Sequence, residues 1–382
     1  MHSKIRILYI IDSLGFGGSQ RQLVELASRL DRSVFDPYVL IYHKDDSFRK
    51  VLDDRNVPIV YIRKKMKVDP TFMLKLAKFI KENEFQIINC FWHGPNFIGR
   101  LIGKLSGVSV VITSVRDVDV TGPLYGLLER VMYPLSTKIV VNAVFLRDVL
   151  LNSLHIPEIK ISVIPNGVDT NLFTPLESYD TCVLRELKLN LGILENEFVI
   201  LLIGRIESQK NHICLVKALD VLRKLTAVKF KALFVGNIVD EKLKAILDKE
   251  IISRGFGRTI KFLDPCLDIQ FYYSIGNIVV LPSLHEGMSN VLLEAMASGK
   301  VVVASDIPAN REIVADGENG YLFNSNNYES LARTIFRVMS APCKRLNSLS
   351  QAAAEYVQKE HNVEKMVKSM TVLYKNLLAE SR

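Results

Sequence analysis

The sequence predicts an α/β protein built from two doubly wound parallel-sheet domains. Its 382 residues leave room for two domains at about 100–200 residues each. Apolar runs of strand length alternate with helix-period segments through the front half, and the alternation restarts after a turn-rich stretch; this is the pattern of a parallel sheet covered by helices on both faces. A composition of 48% hydrophobic and 24% charged residues with 20 Gly and 13 Pro excludes disordered, collagen-like and low-complexity classes.

In the front half the spacing predicts a strand at 5–11, a helix at 20–30, strands at 38–42 and 58–62, and a helix at 70–83. A strand at 87–91, a helix at 95–106, a strand at 108–113, a helix at 124–133 and a strand at 138–142 follow. Ile164-Pro165-Asn166-Gly167-Val168-Asp169 offers a turn and a hinge, and an irregular acidic stretch runs from Pro175 to about 197. The second series is a strand at 198–206, a helix at 211–225, a strand at 229–235, a helix at 240–253, strands at 259–263 and 277–282, a helix at 290–298 and a strand at 301–305. Segments 329–339 and 346–378 read as helices. The expected domains are 1–166, 167–360 and a C-terminal helix at 361–382 that packs back on the first.

No apolar run approaches the roughly 18–20 residues that span a bilayer. The five cysteines (Cys90, Cys182, Cys214, Cys266, Cys343) lie far apart without CxxC or Cys/His spacing, so free thiols in a reducing cytoplasm are expected and no metal site. The opening residues are too polar for a signal peptide. Basic charge sits at the front, with 23 Lys and Arg against 17 Asp and Glu in residues 1–175 and 26 against 24 in the rest. Seven basic residues fall within 61–81 (Arg63, Lys64, Lys65, Lys67, Lys75, Lys78, Lys81) against Asp69 alone. Helical spacing sets Lys75, Lys78 and Lys81 on one face and Phe72, Leu76, Phe79 and Ile80 on the other. Such a surface suits transient contact with anionic lipid, or is simply a solvated helix face.

Three βα loops carry candidate chemistry, because ligands in open α/β sheets sit at the carboxyl ends of strands. Gly15-Phe16-Gly17-Gly18-Ser19-Gln20 lets backbone approach a ligand at a helix start, with Ser19 and Gln22 spaced as a capping box. It lacks the G-x-G-x-x-G spacing of a nicotinamide site. Arg205 and Lys210, within Gly204-Arg205-Ile206-Glu207-Ser208-Gln209-Lys210-Asn211, bring two cations that can neutralise a diphosphate without a metal. In the third loop, Glu286-Gly287-Met288-Ser289-Asn290-Val291 leads into a helix whose amides can face a phosphate, and Glu294 follows just over a turn beyond Asn290.

The stretch EGMSNVLLEAMASGK resembles the E-x7-E signature of retaining glycosyltransferases of family 4, which have the GT-B fold of two facing Rossmann-like domains with an interdomain cleft. GFGGSQ, IPNGVDTNLF, GRIESQKN and PANREIVADGENGYLF extend the resemblance over essentially the whole chain. It implies that Arg205 and Lys210 bind the donor diphosphate, that Glu294 holds the ribose, and that Gly287, Met288, Ser289, Asn290 and Val291 add phosphate contacts. Glu286 would contact the donor sugar, Gly17 and Gly18 would approach the donor from the front domain, and His93 would face the acceptor. Where several relatives carry a histidine after the strand at 108–113, this chain has none, and Arg116 is the candidate to contact the sugar or an acceptor phosphate there.

The expected reaction is metal-independent transfer of a sugar from a nucleotide diphosphate sugar, UDP-linked in preference to GDP-mannose, to a hydroxyl of a lipid-linked or polysaccharide acceptor in bacterial cell-surface glycan biosynthesis. The anomeric configuration would be retained. The expected location is cytoplasmic, with peripheral contact at the inner face of the membrane. A GT-B epimerase or phosphorylase and a non-catalytic nucleotide- or glycan-binding protein are the rival readings. Nucleic acid is not an expected partner, because the basic run lacks interleaved aromatic residues.

Overall fold

The computed structural model describes residues 4–66, 68–117, 123–175 and 181–381; Lys67 of the basic run lies outside them. The chain divides into two units, Met1–Gly167 with Val363–Arg382, and Val168–Asn362.

The first unit holds strands β1 (Ile5–Ile10), β2 (Phe35–Ile41), β3 (Ile59–Tyr61), β4 (Ile87–Phe91), β5 (Val110–Val115), β6 (Lys138–Val141) and β7 (Ile161–Val163). They form a parallel sheet in the order β3-β2-β1-β4-β5-β6-β7. The order reverses between β1 and β4, and the βα loops after those two strands therefore border the switch point. β2 begins earlier than its apolar run, passing through Pro37. Val39 donates its N–H to Pro58 on the β3 side; Pro37 faces the same way ahead of the start of β3, so its missing N–H removes no ladder bond.

Helices α1 (Gly18–Arg29), α2 (Arg49–Asp53), α3 (Pro70–Glu82), α4 (His93–Leu105), α5 (Pro123–Met132) and α6 (Val144–Asn152) connect these strands. Helix α3 starts where its chemistry dictates. Pro70 occupies the first turn, and the Asp69 carboxylate accepts from the N–H groups of Lys65 and Phe72 and from the Thr71 hydroxyl. These bonds, led by that from Lys65, lower the Asp69 pKa to about 2. Phe72, Leu76 and Ile80 are buried against the sheet, while Lys75, Lys78 and Lys81 are exposed. The last helix, α15 (Val363–Glu380), belongs to this unit: the Tyr374 hydroxyl accepts from Asn89 Nδ2 at 2.7 Å and meets the Tyr9 hydroxyl at 3.1 Å.

The second unit holds β8 (Phe198–Ile203), β9 (Phe230–Val235), β10 (Ile260–Leu263), β11 (Ile278–Leu281), β12 (Val301–Ser305) and β13 (Tyr321–Phe323), parallel in the order β10-β9-β8-β11-β12-β13. Here the reversal lies between β8 and β11. Helices α7 (Thr181–Asn190), α8 (His212–Leu225), α9 (Glu241–Ser253), α10 (Gln270–Ile275), α11 (Asn290–Ala297), α12 (Pro308–Arg311), α13 (Tyr328–Met339) and α14 (Cys343–Glu360) complete it. Leu215, Leu219 and Leu222 of α8 pack with Leu331 and Ile335 of α13 on the faces of β8, β9 and β12.

Several elements depart from the expectations. The acidic stretch expected to be irregular contains α7, whose only buried side chain is Leu184, too little to give an apolar stripe. The helical tail, expected to end in a separate helix from 361, divides at His361-Asn362. The capping box at Ser19 does not form: the cap of α1 is Gly17, with no side-chain bond, and Gln22 instead exchanges two hydrogen bonds with the Gly167 backbone, at 2.8 and 3.0 Å.

Candidate active site

In the second unit the loops after β8 and β11 emerge from adjacent strands, Ile278 pairing with Ile200. Gly204 follows β8. A Cβ on Gly236 would lie 2.2 Å from the Gly204 carbonyl, and one on Gly204 would lie 3.2 Å from Cγ and Cδ of Lys210. Gly236 therefore needs glycine for backbone approach, and the Lys210 stem lies across Gly204 closely enough that a methyl there would have to displace it. A short turn at Ser208–Lys210 and a left-handed Asn211 (φ 50°) then start α8.

This path delivers the Lys210 ammonium to Glu286, which follows β11. Nζ donates to Oε1 at 2.5 Å, and the Ser283 hydroxyl donates to the same oxygen at 2.7 Å. Both side chains are largely buried, 13% and 9% exposed, so the pair is weakly screened by solvent. Oε2 makes no hydrogen bond among the described residues. A buried chain of bonds supports Ser283 from behind: Asn310 Nδ2 donates to the Ser305 carbonyl at 2.9 Å, and the Ser305 hydroxyl to the Ser283 carbonyl at 2.5 Å. Gln209 ties the two loops, its Nε2 donating to the His285 carbonyl while its own carbonyl accepts the Leu284 N–H.

Ser289 caps α11 by accepting the Leu292 N–H at 3.3 Å. The positive end of the α11 dipole thus lies in the loop of Glu286, Gly287 and Met288, with Asn290 and Val291 in its first turn. Farther along α11, buried Glu294 accepts from the Tyr273 hydroxyl at 2.9 Å, and Phe173 packs edge-on against that ring. Arg205 is more open, 40% exposed, and pairs with Glu207 at 3.0 Å. His212 is buried, with neither ring nitrogen hydrogen-bonded among the described residues. Burial, with the nearby Lys210 charge, lowers its pKa to about 3 and keeps it neutral.

The first unit brings its own candidates to the β1/β4 switch point. Gly17 and Gly18 open α1, and a Cβ on Gly17 would lie 2.3 Å from Gln20 Oε1. His93 is the first residue of α4, half-buried, its ring 4.3 Å from that of Tyr125. Trp92 before it has φ 83° and ψ 162°, a region costly for a bulky residue, so the strand-to-helix turn that sets His93 is strained. Arg116 donates from Nη1 to Asn166 Oδ1 at 2.7 Å and lies 4.6 Å from the centre of the Phe91 ring; burial lowers its pKa to about 10. Its observed partner is the Pro-Asn-Gly junction.

The sequence reading had named Arg205, Lys210, Glu286 and Glu294, and the second unit brings Lys210 and Glu286 into contact. It does not single out Ser283 and Tyr273, whose hydroxyls donate to the two carboxylates, or Asn310, which holds Ser305 behind Ser283. Ser283 stands three residues before Glu286 and was legible as a candidate; Tyr273 lies on a helix with no sequence signal, and its hydroxyl reaches Glu294 only through the fold.

A family model described as glycosyl transferases group 1 matches residues 185–356, and one described as glycosyltransferase family 4 matches residues 16–172. The chain is 25% identical to the UDP-Gal:alpha-D-GlcNAc-diphosphoundecaprenol alpha-1,3-galactosyltransferase of Escherichia coli, over 98% of this chain and 97% of that one. It is also 25% identical to a Campylobacter jejuni N,N'-diacetylbacillosaminyl-diphospho-undecaprenol alpha-1,3-N-acetylgalactosaminyltransferase, over 86% and 88%. Anabaena HepE in complex with UDP-glucose shares the fold at TM-score 0.86 and 20% identity, covering 97% of this chain and 100% of that one. A Rickettsia africae glycosyltransferase does so at 0.85 and 23%, covering 99% of each chain. Matched by the two models in turn along its length, the chain belongs to the family 4, group 1 glycosyltransferases and is an enzyme of that class.

Proposed function

We propose that the protein transfers a sugar, with retention of anomeric configuration and without a metal, from a nucleotide diphosphate sugar to a hydroxyl of a lipid-linked acceptor in bacterial surface-glycan biosynthesis. The observation that carries this reading is the Lys210–Glu286 contact beside the capped start of α11. It sets a cation, a carboxylate and a helix dipole around one point at a strand-order switch. Breaking the glycosidic bond loads negative charge onto the diphosphate; Lys210, Arg205 and the α11 amide end stabilise it without reorganising at the moment of reaction. Glu286 Oε1 is occupied by Lys210 and Ser283, so Oε2 is the oxygen offered to a sugar hydroxyl. Glu294, held by Tyr273, accepts from ribose hydroxyls. The departing phosphate takes the acceptor proton.

The relatives from E. coli and C. jejuni are named for undecaprenol-diphosphate-linked acceptors, and HepE is seen with UDP-glucose; these support a UDP-sugar and a lipid-linked acceptor. Among the described residues no helix is long and apolar enough to cross a membrane, so access to such an acceptor calls for peripheral contact. A thermal-shift panel of UDP, GDP, ADP and NAD tests the donor. At about 100 times its dissociation constant a ligand adds roughly 2.7 kcal/mol. UDP should stabilise the wild type and fail to stabilise Lys210→Ala. A shift with NAD alone, or none, removes the donor assignment; an inverted anomeric product by NMR removes retention.

A further inference from the structure

We propose that Trp92 is the platform on which the first unit recognises its acceptor, the indole stacking on a face of the pyranose ring that bears the accepting hydroxyl. The proposal rests on the reading that the acceptor is lipid-linked, and adds that the lipid already carries a sugar when it reaches the enzyme.

Trp92 breaks two local rules at once. It occupies the N-cap of α4, where Ser, Thr, Asp, Asn or Gly is preferred, and it caps without a side-chain bond. Its φ of 83° and ψ of 162° fall in a region that is essentially glycine's alone. Had the chain stayed extended, two-residue alternation would turn position 92 to the side of Ile88 and Cys90, which belong to the core that also takes Phe72 and Leu76 of α3 and Ile98 of α4. The positive φ removes it from that alternation. Phe91, one residue earlier, does the packing: it is fully buried, with Tyr9 and the Arg116 guanidinium against its ring. Trp92 is half-buried, and its N–H donates to no group among the described residues, whereas a buried indole N–H finds a partner. A large aromatic residue held in a glycine conformation and not spent on the core marks a place where function opposes local preference.

The ring is nonetheless held in place. Its centroid lies 4.9 Å from that of His93, whose ring is 4.3 Å from Tyr125, which packs in turn on Phe97 at 5.4 Å. Tyr125 stands on α5, which the buried Arg100–Glu129 ion pair fixes to α4. Trp92 thus ends a row of rings at the carboxyl edge of the first sheet. Ile10 pairs with Cys90, so the loop that carries Gly17 and Gly18 leaves from the neighbouring strand. The face of an indole is electron-rich, and the C–H groups on a pyranose face are apolar and slightly positive, so the two stack; the sugar hydroxyls at the rim match the indole N–H and the imidazole. A phosphate gains nothing from the same face, which therefore selects the sugar of the acceptor and not its anionic link.

The chain has one tryptophan, so its emission reads this site alone. The full chain, with and without UDP, is titrated with the methyl α-pyranosides of glucose, galactose, mannose and N-acetylglucosamine, and with sorbitol as an acyclic control. At least one pyranoside should change the emission saturably and sorbitol should not, and saturation-transfer NMR should find transfer concentrated on the C–H protons of one ring face. Trp92→Ala should weaken that pyranoside more than about tenfold, and Trp92→Phe should weaken it less, both keeping the wild-type UDP thermal shift, which reports folding and the donor site separately. Trp92→Gly should bind the pyranoside as poorly as Trp92→Ala yet melt higher, because only glycine is relaxed at this φ. The proposal is overturned if no pyranoside changes the emission, if sorbitol changes it equally, if UDP alone gives the whole change, or if Trp92→Ala binds the pyranoside like wild type. Trp92→Ala melting as high as Trp92→Gly overturns it too, by removing the strain. A wild type that shows the pyranoside response but no UDP shift removes the donor reading and leaves the acceptor platform supported.

Discussion

Lys210 and Glu286 stand 76 residues apart in the chain and 2.5 Å apart in the fold. They meet because the strands before them, β8 and β11, are neighbours at the switch point of the second sheet. The pair has no net charge, yet each member serves a different part of a donor, the ammonium its diphosphate and the carboxylate its sugar. Glu286→Gln keeps a group that can accept from Ser283 but removes the countercharge of a largely buried lysine. Transfer should fall on the order of 10²-fold, while the UDP thermal shift is retained because Lys210 is still present. Equal loss of both would place Glu286 in nucleotide binding instead of at the sugar.

Gly204→Ala isolates the route that Lys210 takes. The added methyl would lie 3.2 Å from the lysine stem, tighter than ordinary contact, so the stem must move and carry Nζ away from Glu286. A one-ångström misplacement in a preorganised site can cost about 10²-fold. Nucleotide affinity and kcat should both drop with little change in melting temperature, since the crowding is met by the far part of a flexible side chain. Wild-type kinetics in this variant would mean that Lys210 has no single working position.

Much of this site was legible in the sequence, and the limits have physical causes. The loops that carry the two glutamates and two cations were readable because strand alternation placed them after strands on one edge of a parallel sheet, whereas the roles expected of those residues came from the resemblance of EGMSNVLLEAMASGK and GRIESQKN to the family's motifs. Gln22 was misread because a capping box is a local rule, and the tertiary bonds it makes to Gly167 outcompete that pairing. Arg116 is a candidate to contact the sugar or an acceptor phosphate on the resemblance alone, and its contact with Asn166, 50 residues away, had no sign in the sequence. The inner face of α5 was not legible because periodicity identifies an amphipathic helix but not which of its faces meets the core; here the Arg100–Glu129 pair, a charged contact, lies on the inner side.

His212 sets an acid limit on stability. Its folded pKa, lowered to about 3 by burial and Lys210, lies below the ordinary 6.5. Between those values the unfolded chain takes up a proton that the folded chain refuses, so stability present above pH 6.5 is lost as pH falls toward 3. At pH 5 the loss is on the order of 2 kcal/mol, several degrees of melting temperature. Asp69, with its pKa at about 2, acts only below about pH 4, so it does not confuse the comparison. His212→Leu, which can still pack on Phe234, should show a shallower fall in melting temperature from pH 7 to pH 5 than wild type. Parallel pH curves would mean that the folded protein admits the proton.

Arg100 and Glu129 are both 0% exposed, and the pair is braced by Ser136 on Nε at 2.7 Å and Thr113 on Nη2 at 3.0 Å. Breaking a buried pair on one side costs about 3–5 kcal/mol, whereas replacing both members with apolar groups of similar size is often neutral. Glu129→Gln should therefore lower the stability of the first unit by about that amount, and Arg100→Met/Glu129→Leu should recover most of it. The chain's single tryptophan, Trp92, sits at the start of α4, so its fluorescence during urea unfolding follows the unit that carries the pair. The double variant separates two roles that the single one confounds. Recovery in the double variant would show that the pair serves to hold α5 against α4; a double variant as unstable as the single one would show that the charges themselves are needed there.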